Sequence, residues 1–258
     1  MTPPVLVFAG VDPSGGAGIA ADVLAIAAQG GHAMPVVTAL TVQDNDRVFG
    51  VLPVDAGTVR RQALALIDKI AVGAVKIGIP GNAANAQAIA EVIALLRARQ
   101  PGLPVVLDPV LASGNGDALS REDAVKALAP LLPLATLIVP NLPEAALLGG
   151  VAGVAEQAAV LRGRGCRHVL VTGGHADGAL VYNSWFGPDG RRDWQFERLD
   201  GAFHGSGCTL ASAIAARLAR GQAMAAALAD AQGYCQRALA AAYPIAPGQW
   251  MPQRLCLT

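Results

Sequence analysis

Val5-Leu6-Val7-Phe8-Ala9-Gly10-Val11-Asp12-Pro13-Ser14-Gly15-Gly16-Ala17-Gly18 opens the chain and decides how the rest is read. Val5 to Ala9 is an apolar run without alternation, the pattern of a strand buried on both faces of a parallel sheet. Glycine, proline and serine then end it, and an alanine-rich segment of helical character follows Gly18. The same unit recurs. Further strands are expected at Pro35 to Thr41, Ala74 to Ile77, Val105 to Leu107, Leu137 to Val139 and His168 to Val171. Helices are expected at Thr58 to Ile70 and at Asn82 to Arg99, where Asn82 can cap and Ala86, Ile89, Ala90, Ile93 and Leu96 form one stripe. Strands alternating with helices imply right-handed crossovers and an α/β fold, a three-layer α/β/α sandwich around a mostly parallel central sheet.

After Val171 the rhythm changes. Ala179 to Tyr182 and Asp193 to Leu199, separated by Gly187-Pro188-Asp189-Gly190, read as an antiparallel hairpin, and two alanine-rich helices, Ser206 to Arg220 and Gln222 to Ala242, follow. No repeat or linker divides residues 1–258, so a single domain is expected. Hydrophobic residues make up 53% of the 258, and 52 of them are alanine, which excludes disorder and makes the apolar content small and helix-favouring. With 19 basic against 19 acidic residues, nothing would drive counterions off a polyanion, so neither nucleic acid nor a membrane surface is an expected partner. The longest stretch without a charged residue, Val23 to Gln43, is broken by Gln29, Gly30, Gly31, His32 and Pro35 and is no membrane span. Met-Thr-Pro-Pro at the start lacks the basic region of a secretory signal, which points to a cytoplasmic protein. Cys166, Cys208, Cys235 and Cys256 show no metal or disulfide spacing and are expected as free thiols.

In open α/β sheets ligands bind beyond the carboxyl ends of the strands, so the residues there carry the functional information. They include Gly10 to Gly18, Gln43-Asp44, Gly78, Asp108-Pro109-Val110, Pro140-Asn141-Leu142-Pro143-Glu144 and Thr172-Gly173-Gly174-His175. Turn chemistry explains the glycines and prolines. It does not explain Gln43, Asp108, Asn141 and Glu144 together. His204-Gly205-Ser206-Gly207-Cys208 enters a helix whose first N–H groups are unpaired, an anion-binding end where the thiol of Cys208 is expected to be lowered in pKa. Gly16-Ala17-Gly18-Ile19-Ala20-Ala21 matches a dinucleotide pattern only literally, because five residues separate it from Gly10 and Asp12 would face a pyrophosphate. The Walker pattern is absent.

These rim segments, with Asp22, Val37 to Gln43 and Lys76-Ile77-Gly78, resemble hydroxymethylpyrimidine/phosphomethylpyrimidine kinases of thiamine biosynthesis over nearly the whole chain. The resemblance implies a ribokinase-like fold, ATP and Mg²⁺ as cofactors, a small pyrimidine substrate phosphorylated at its hydroxymethyl group and then at its monophosphate, and a homodimer. It implies that Gln43 contacts the pyrimidine within walls formed by Gly10, Ala17, Ile79 and Val110. Cys208 takes the catalytic position, with Gly205, Ser206 and Gly207 as anion hole. Asp108, Asn141, Glu144 and Thr172 fall on the nucleotide side, Asp108 and Glu144 facing the metal. Two departures stand out: Thr172 where many members carry lysine, which removes a charge expected near the ATP phosphates, and Ser206 in place of the more usual threonine. Blander roles compete: Asp22 as a first-turn helix carboxylate, Lys76 as a structural ion pair, Glu144 as a helix-cap partner, Asp44 as a solvated acid, and His175 and His204 as loop residues bonded to backbone. Two other classes stay open, a cysteine hydrolase pairing Cys208 with His204 or His175 and a non-catalytic vitamin-binding module.

Overall fold

The computed structural model of the chain describes residues 2–111 and 121–255. Its elements run β1 (Pro4–Val11), α1 (Gly18–Ala28), β2 (His32–Gln43), β3 (Val48–Pro53), α2 (Ala56–Ile67), β4 (Ala74–Ile77), α3 (Ala83–Arg99), β5 (Val105–Leu107), α4 (Arg121–Leu128), β6 (Leu137–Ile138), α5 (Leu142–Gly149), α6 (Val154–Gly163), β7 (His168–Val171), β8 (Leu180–Gly187), β9 (Gly190–Glu197), α7 (Ser206–Ala219) and α8 (Met224–Ala240). Among the described residues one nine-stranded sheet has the order β3-β2-β1-β4-β5-β6-β7-β8-β9. From β2 to β7 every pairing is parallel, while β3 at one end and β8 and β9 at the other pair antiparallel.

Alternate residues of the central strands feed two cores. Leu6, Phe8, Val75, Ile77, Val105 and Leu107 pack against Val59 and Ala63 of α2, Ile89 and Ile93 of α3, Leu148 of α5 and Leu161 of α6. Val5, Val7, Ala74, Val106 and Leu170 pack on the other face against Ile26 of α1, Ile214 of α7 and Leu228 of α8. The expected three-layer sandwich is therefore present. Its second layer is built largely from Ala211, Ala213, Ala215, Ala216, Ala227 and Ala231, all fully buried, whose short side chains let the helices approach closely. Asn82 caps α3 as expected, accepting from Asn85 N at 2.8 Å.

The differences are local. The hairpin expected to start at Ala179 and end at Leu199 is longer-stranded, β8 and β9 closing over the two-residue Pro188-Asp189 turn with Gly187 opposite Gly190. Asn183 and Ser184 hide it from a hydropathy reading, because they are polar yet buried, with Asn183 bonded to Gly173 N and to Gln232. β3 was not expected: its residues are half-buried or exposed, so no apolar run marks it. Helix α2 begins and ends before the expected Thr58 to Ile70, Asp55 acting as its cap through Thr58 N at 2.8 Å. Cys166, Cys208 and Cys235 are free thiols, and Cys256 lies outside the described residues. Among the described residues no single helix is long and apolar enough to cross a bilayer.

Candidate active site

The carboxyl ends of β1, β2, β4, β5 and the amino terminus of α7 meet on one rim. Asp12, just past β1, organises the first loop: its carboxylate accepts from Ser14 N at 2.8 Å and Ala17 N at 2.7 Å. The ring of His204 lies 2.8 Å away, Nε2 on Oδ2. Burial opposes ionisation of Asp12, yet these bonds, with the Gln43 amide turned toward it, hold its carboxyl well below the ordinary range. His204 is thus not a loop residue bonded only to backbone. Its pairing with Asp12 joins the loop between β1 and α1, which also meets Gln43, with the loop that enters α7.

Gly205, in the left-handed region at φ 75°, caps α7, and a Cβ there would collide with the Gly16 carbonyl, so only glycine lets the two loops touch. No side chain caps this helix end, which leaves the N–H groups of its first turn directed outward. Gly207 is exposed, and Asp108 Oδ1 lies 3.7 Å from where its Cβ would stand. Gly10 is buried against Ile79, whose Cγ2 would stand 3.0 Å from a Cβ there. Ala17, Ile79 and Val110 are half-buried beside their strand ends, as pocket walls would be.

Beneath the helix end lies a buried charge cluster. Lys76 Nζ is 2.8 Å from Asp22 Oδ1 and 3.6 Å from Asp108 Oδ2, and Ser212 donates to Asp22 at 2.7 Å. Lys76 and Asp22 accordingly serve structurally, as ion-pair partners. Burial would strip the proton from Lys76, but the two carboxylates, Asp22 foremost, raise its pKa instead. The thiol of Cys208 corrects the expectation drawn from its helix position. Burial pushes it up to about 12, against the attraction of Lys76 and the Gly18 N–H and with the help of Asp108 and Asp22. A helix dipole contributes too little to offset desolvation beside two acids.

Asn141 and Glu144 form a full capping box on α5, each side chain accepting from the other's N–H at 2.9 Å. The cap role is therefore present. Burial and the charge of Asp108 push the Glu144 carboxyl up to about 8, and burial raises Asp108 as well. Two carboxylates that repel one another, with Asp108 Oδ2 buried and lacking a hydrogen-bond partner among the described residues, suit a hydrated divalent cation. Among the described residues no group of three or more His, Cys, Asp or Glu side chains is placed to hold a metal ion. Thr172 bonds Pro140 O through its N–H at 2.9 Å and pairs with Asn141, and Arg198 donates to the carbonyls of Gly174 and Gly178 in the loop that follows. Asp44 is exposed and accepts from Asp46 N and Arg47 N at 2.8 and 2.7 Å, the solvated turn acid expected. His175 is exposed on its loop. His204 is committed to Asp12 and the Cys208 thiol is raised rather than lowered, the opposite of what a hydrolase's thiolate–imidazole pair needs.

An open, mostly parallel sheet whose rim sets an uncapped helix amino terminus beside buried carboxylates is suited to bind an anion and a cation together, and its solved neighbours are kinases of the ribokinase-like fold. Phosphomethylpyrimidine kinase as a family matches residues 12–252. The hydroxymethylpyrimidine/phosphomethylpyrimidine kinase of Streptomyces coelicolor is 40% identical over 259 aligned positions, covering 96% of this chain and 93% of that one. Among solved structures, the phosphomethylpyrimidine kinase of Clostridium difficile superposes with a TM-score of 0.78 at 32% identity, over 92% of this chain and 100% of that one. The ADP complex of Bacillus subtilis pyridoxal kinase superposes at 0.88 with 27% identity, over 98% of both chains. The chain belongs to the phosphomethylpyrimidine kinase family.

Sequence reading missed Asp12, whose signal was the Asp-Pro-Ser turn, and the full meaning of His204, whose partner lies 192 positions away.

Proposed function

We propose that the chain transfers the terminal phosphoryl group of ATP to the hydroxymethyl oxygen of hydroxymethylpyrimidine, and then phosphorylates the resulting monophosphate. The observation that carries this reading is the single rim on which Asp12 and His204 join the Gln43 turn to the amino terminus of α7. Gln43 can donate to and accept from the aminopyrimidine edge, with Gly10, Ala17, Ile79 and Val110 around it. The N–H groups of Gly205, Ser206 and Gly207 receive the charge that develops on the transferred group. Asp108 and Glu144 would hold Mg²⁺, which would neutralise phosphate charge there, and Asn141 and Thr172 would border the nucleotide.

The acceptor's O–H bond breaks as its oxygen bonds phosphorus and the bond to the ADP oxygen breaks. Cys208 begins as a thiol, so its sulfur takes the acceptor's proton while its own passes to solvent, which its partial exposure allows.

A second copy of the chain fits the edge of the sheet. Leu40, Val42 and Leu52 are 52%, 53% and 55% exposed on the β2–β3 ribbon, an apolar surface that a homodimer would cover. Free thiols at Cys166, Cys208 and Cys235 suit a reducing compartment such as the cytoplasm. The test of the reaction is ADP release from Mg-ATP with hydroxymethylpyrimidine, pyridoxal or ribose as acceptor. Preference for the pyrimidine supports the reading, and silence with it or preference for another acceptor refutes it.

A further inference from the structure

The segment from Tyr243 to Leu255 contains no long helix or strand, yet it is bound to several parts of the rim. Tyr243 and Met251 exchange backbone hydrogen bonds of 3.0 and 2.9 Å, which folds the segment back on itself. Trp250 donates to Ala202 O at 2.8 Å and accepts from His204 N at 2.9 Å, tying the fold-back to the residues entering α7. Asn45, two residues past Gln43, donates to Pro247 O and Gln249 O at 3.0 and 3.2 Å.

Arg254 completes the strap. Its guanidinium is buried, with the residue 3% exposed. Nε donates to Thr209 Oγ1 at 2.9 Å, and one terminal nitrogen donates to Gly16 O and, at 3.3 Å, to His204 O. Tyr234 holds the Arg254 carbonyl at 2.8 Å. All three acceptors are uncharged, and among the described residues no carboxylate forms an ion pair with this arginine. That is unusual for a buried guanidinium, which normally meets an acid.

The acceptors are not arbitrary. Gly16 precedes Ala17 at the pocket wall, His204 precedes the Gly205–Gly207 anion hole, and Thr209 follows Cys208 in the first turn of α7. These are the places where the two loops touch. We infer that Arg254 is a positioning residue of the kinase, whose planar fork locks the β1 loop and the anion hole at a fixed separation. This inference rests on the kinase reading. A lysine in its place supplies the charge but not the fork, and one ammonium cannot reach three acceptors in those directions.

The test compares the full-length wild type with Arg254→Ala, Arg254→Lys and Thr209→Val in the hydroxymethylpyrimidine and ATP assay, with urea midpoints measured beside it. Misplacement of reacting groups by about 1 Å costs on the order of 100-fold, so Arg254→Ala is expected to lose kcat by about that factor while KM for both substrates changes little. Added guanidinium ion restores part of the rate, and ammonium at equal ionic strength does not. Thr209→Val, which removes one of the three acceptors together with the hydroxyl's own bond to Gly205 O, loses kcat by a smaller factor and, like Arg254→Ala, is read against its urea midpoint; it serves if Arg254→Ala does not fold. Wild-type kcat in the folded variants, or a loss that follows the urea midpoint and ignores guanidinium, overturns the inference. If the wild type phosphorylates nothing, the kinase reading falls and Arg254 is judged by alkylation of Cys208, located by peptide mapping. Arg254→Ala is then expected to speed alkylation about tenfold as the loops part, and an unchanged rate overturns the positioning role.

Discussion

Replacing Cys208 by alanine probes both the position of the thiol and its protonation. At about 12 its pKa lies roughly five units above neutral pH, so placing a free thiolate there costs about 7 kcal/mol at about 1.36 kcal/mol per unit. A resting thiolate would be present in only about one molecule in 10⁵. The relay avoids that cost, because sulfur accepts one proton as it releases another. Alanine removes the relay but leaves the anion hole, the metal carboxylates and Gln43 in place. The expected loss in kcat is therefore on the order of 10², about 2.7 kcal/mol, the lower end for a proton-transfer group in a reaction whose transition state is loose. Initial rates of ADP formation at saturating substrates between pH 6 and 9 supply the test, with KM for the pyrimidine as control. A wild-type profile that is nearly flat supports the relay. An alanine variant with undiminished kcat refutes a catalytic Cys208, and a wild-type rate that climbs tenfold per pH unit over this range refutes the relay in favour of a free thiolate.

Other perturbations follow from the same geometry. Gln43→Ala is expected to raise KM for the pyrimidine far more than KM for ATP, since an unpaired polar edge in the pocket costs about 1–3 kcal/mol; equal effects in steady-state kinetics contradict the assignment. Lys76→Met leaves Asp22 and Asp108 buried without their cation and is expected to cost about 3–5 kcal/mol of stability in urea unfolding, whereas a loss under about 1 kcal/mol would show that the cluster is not held by this pair. His168, stacked on Trp185, is lowered from 6.5 to about 4 by burial and by Arg167 and Arg162. Between those values the unfolded chain binds a proton that the folded one does not, so this contribution is intact above pH 6.5 and falls by about 3 kcal/mol as pH drops to 4. His168→Phe should lessen that acid sensitivity, and an unchanged slope of stability with pH contradicts it.

The parallel strands were legible because burial on both faces writes itself as continuous apolar runs, as in Val105 to Leu107. Edge strands escape that signal. Val48–Pro53 is half solvated, and Asn183 and Ser184 satisfy their polarity through partners that hydropathy does not record. The helix end at Gly205 to Cys208 was readable from local spacing, since glycines entering an apolar helix imply free N–H groups whatever surrounds them. The state of Cys208 was not, because Asp22, Lys76 and Asp108 reach it only through the fold. Arg254 carries no local mark at all. Its acceptors at Gly16, His204 and Thr209 are brought together by β1, α7 and the closing strap.

Product analysis tests the whole account most directly. Incubated with Mg-ATP and hydroxymethylpyrimidine, the protein is predicted to yield pyrimidine bearing first one and then two phosphoryl groups, resolved by anion-exchange chromatography and phosphorus NMR, with one ADP formed per group added. Unchanged pyrimidine, or ADP formed while phosphate goes only to water, would contradict it.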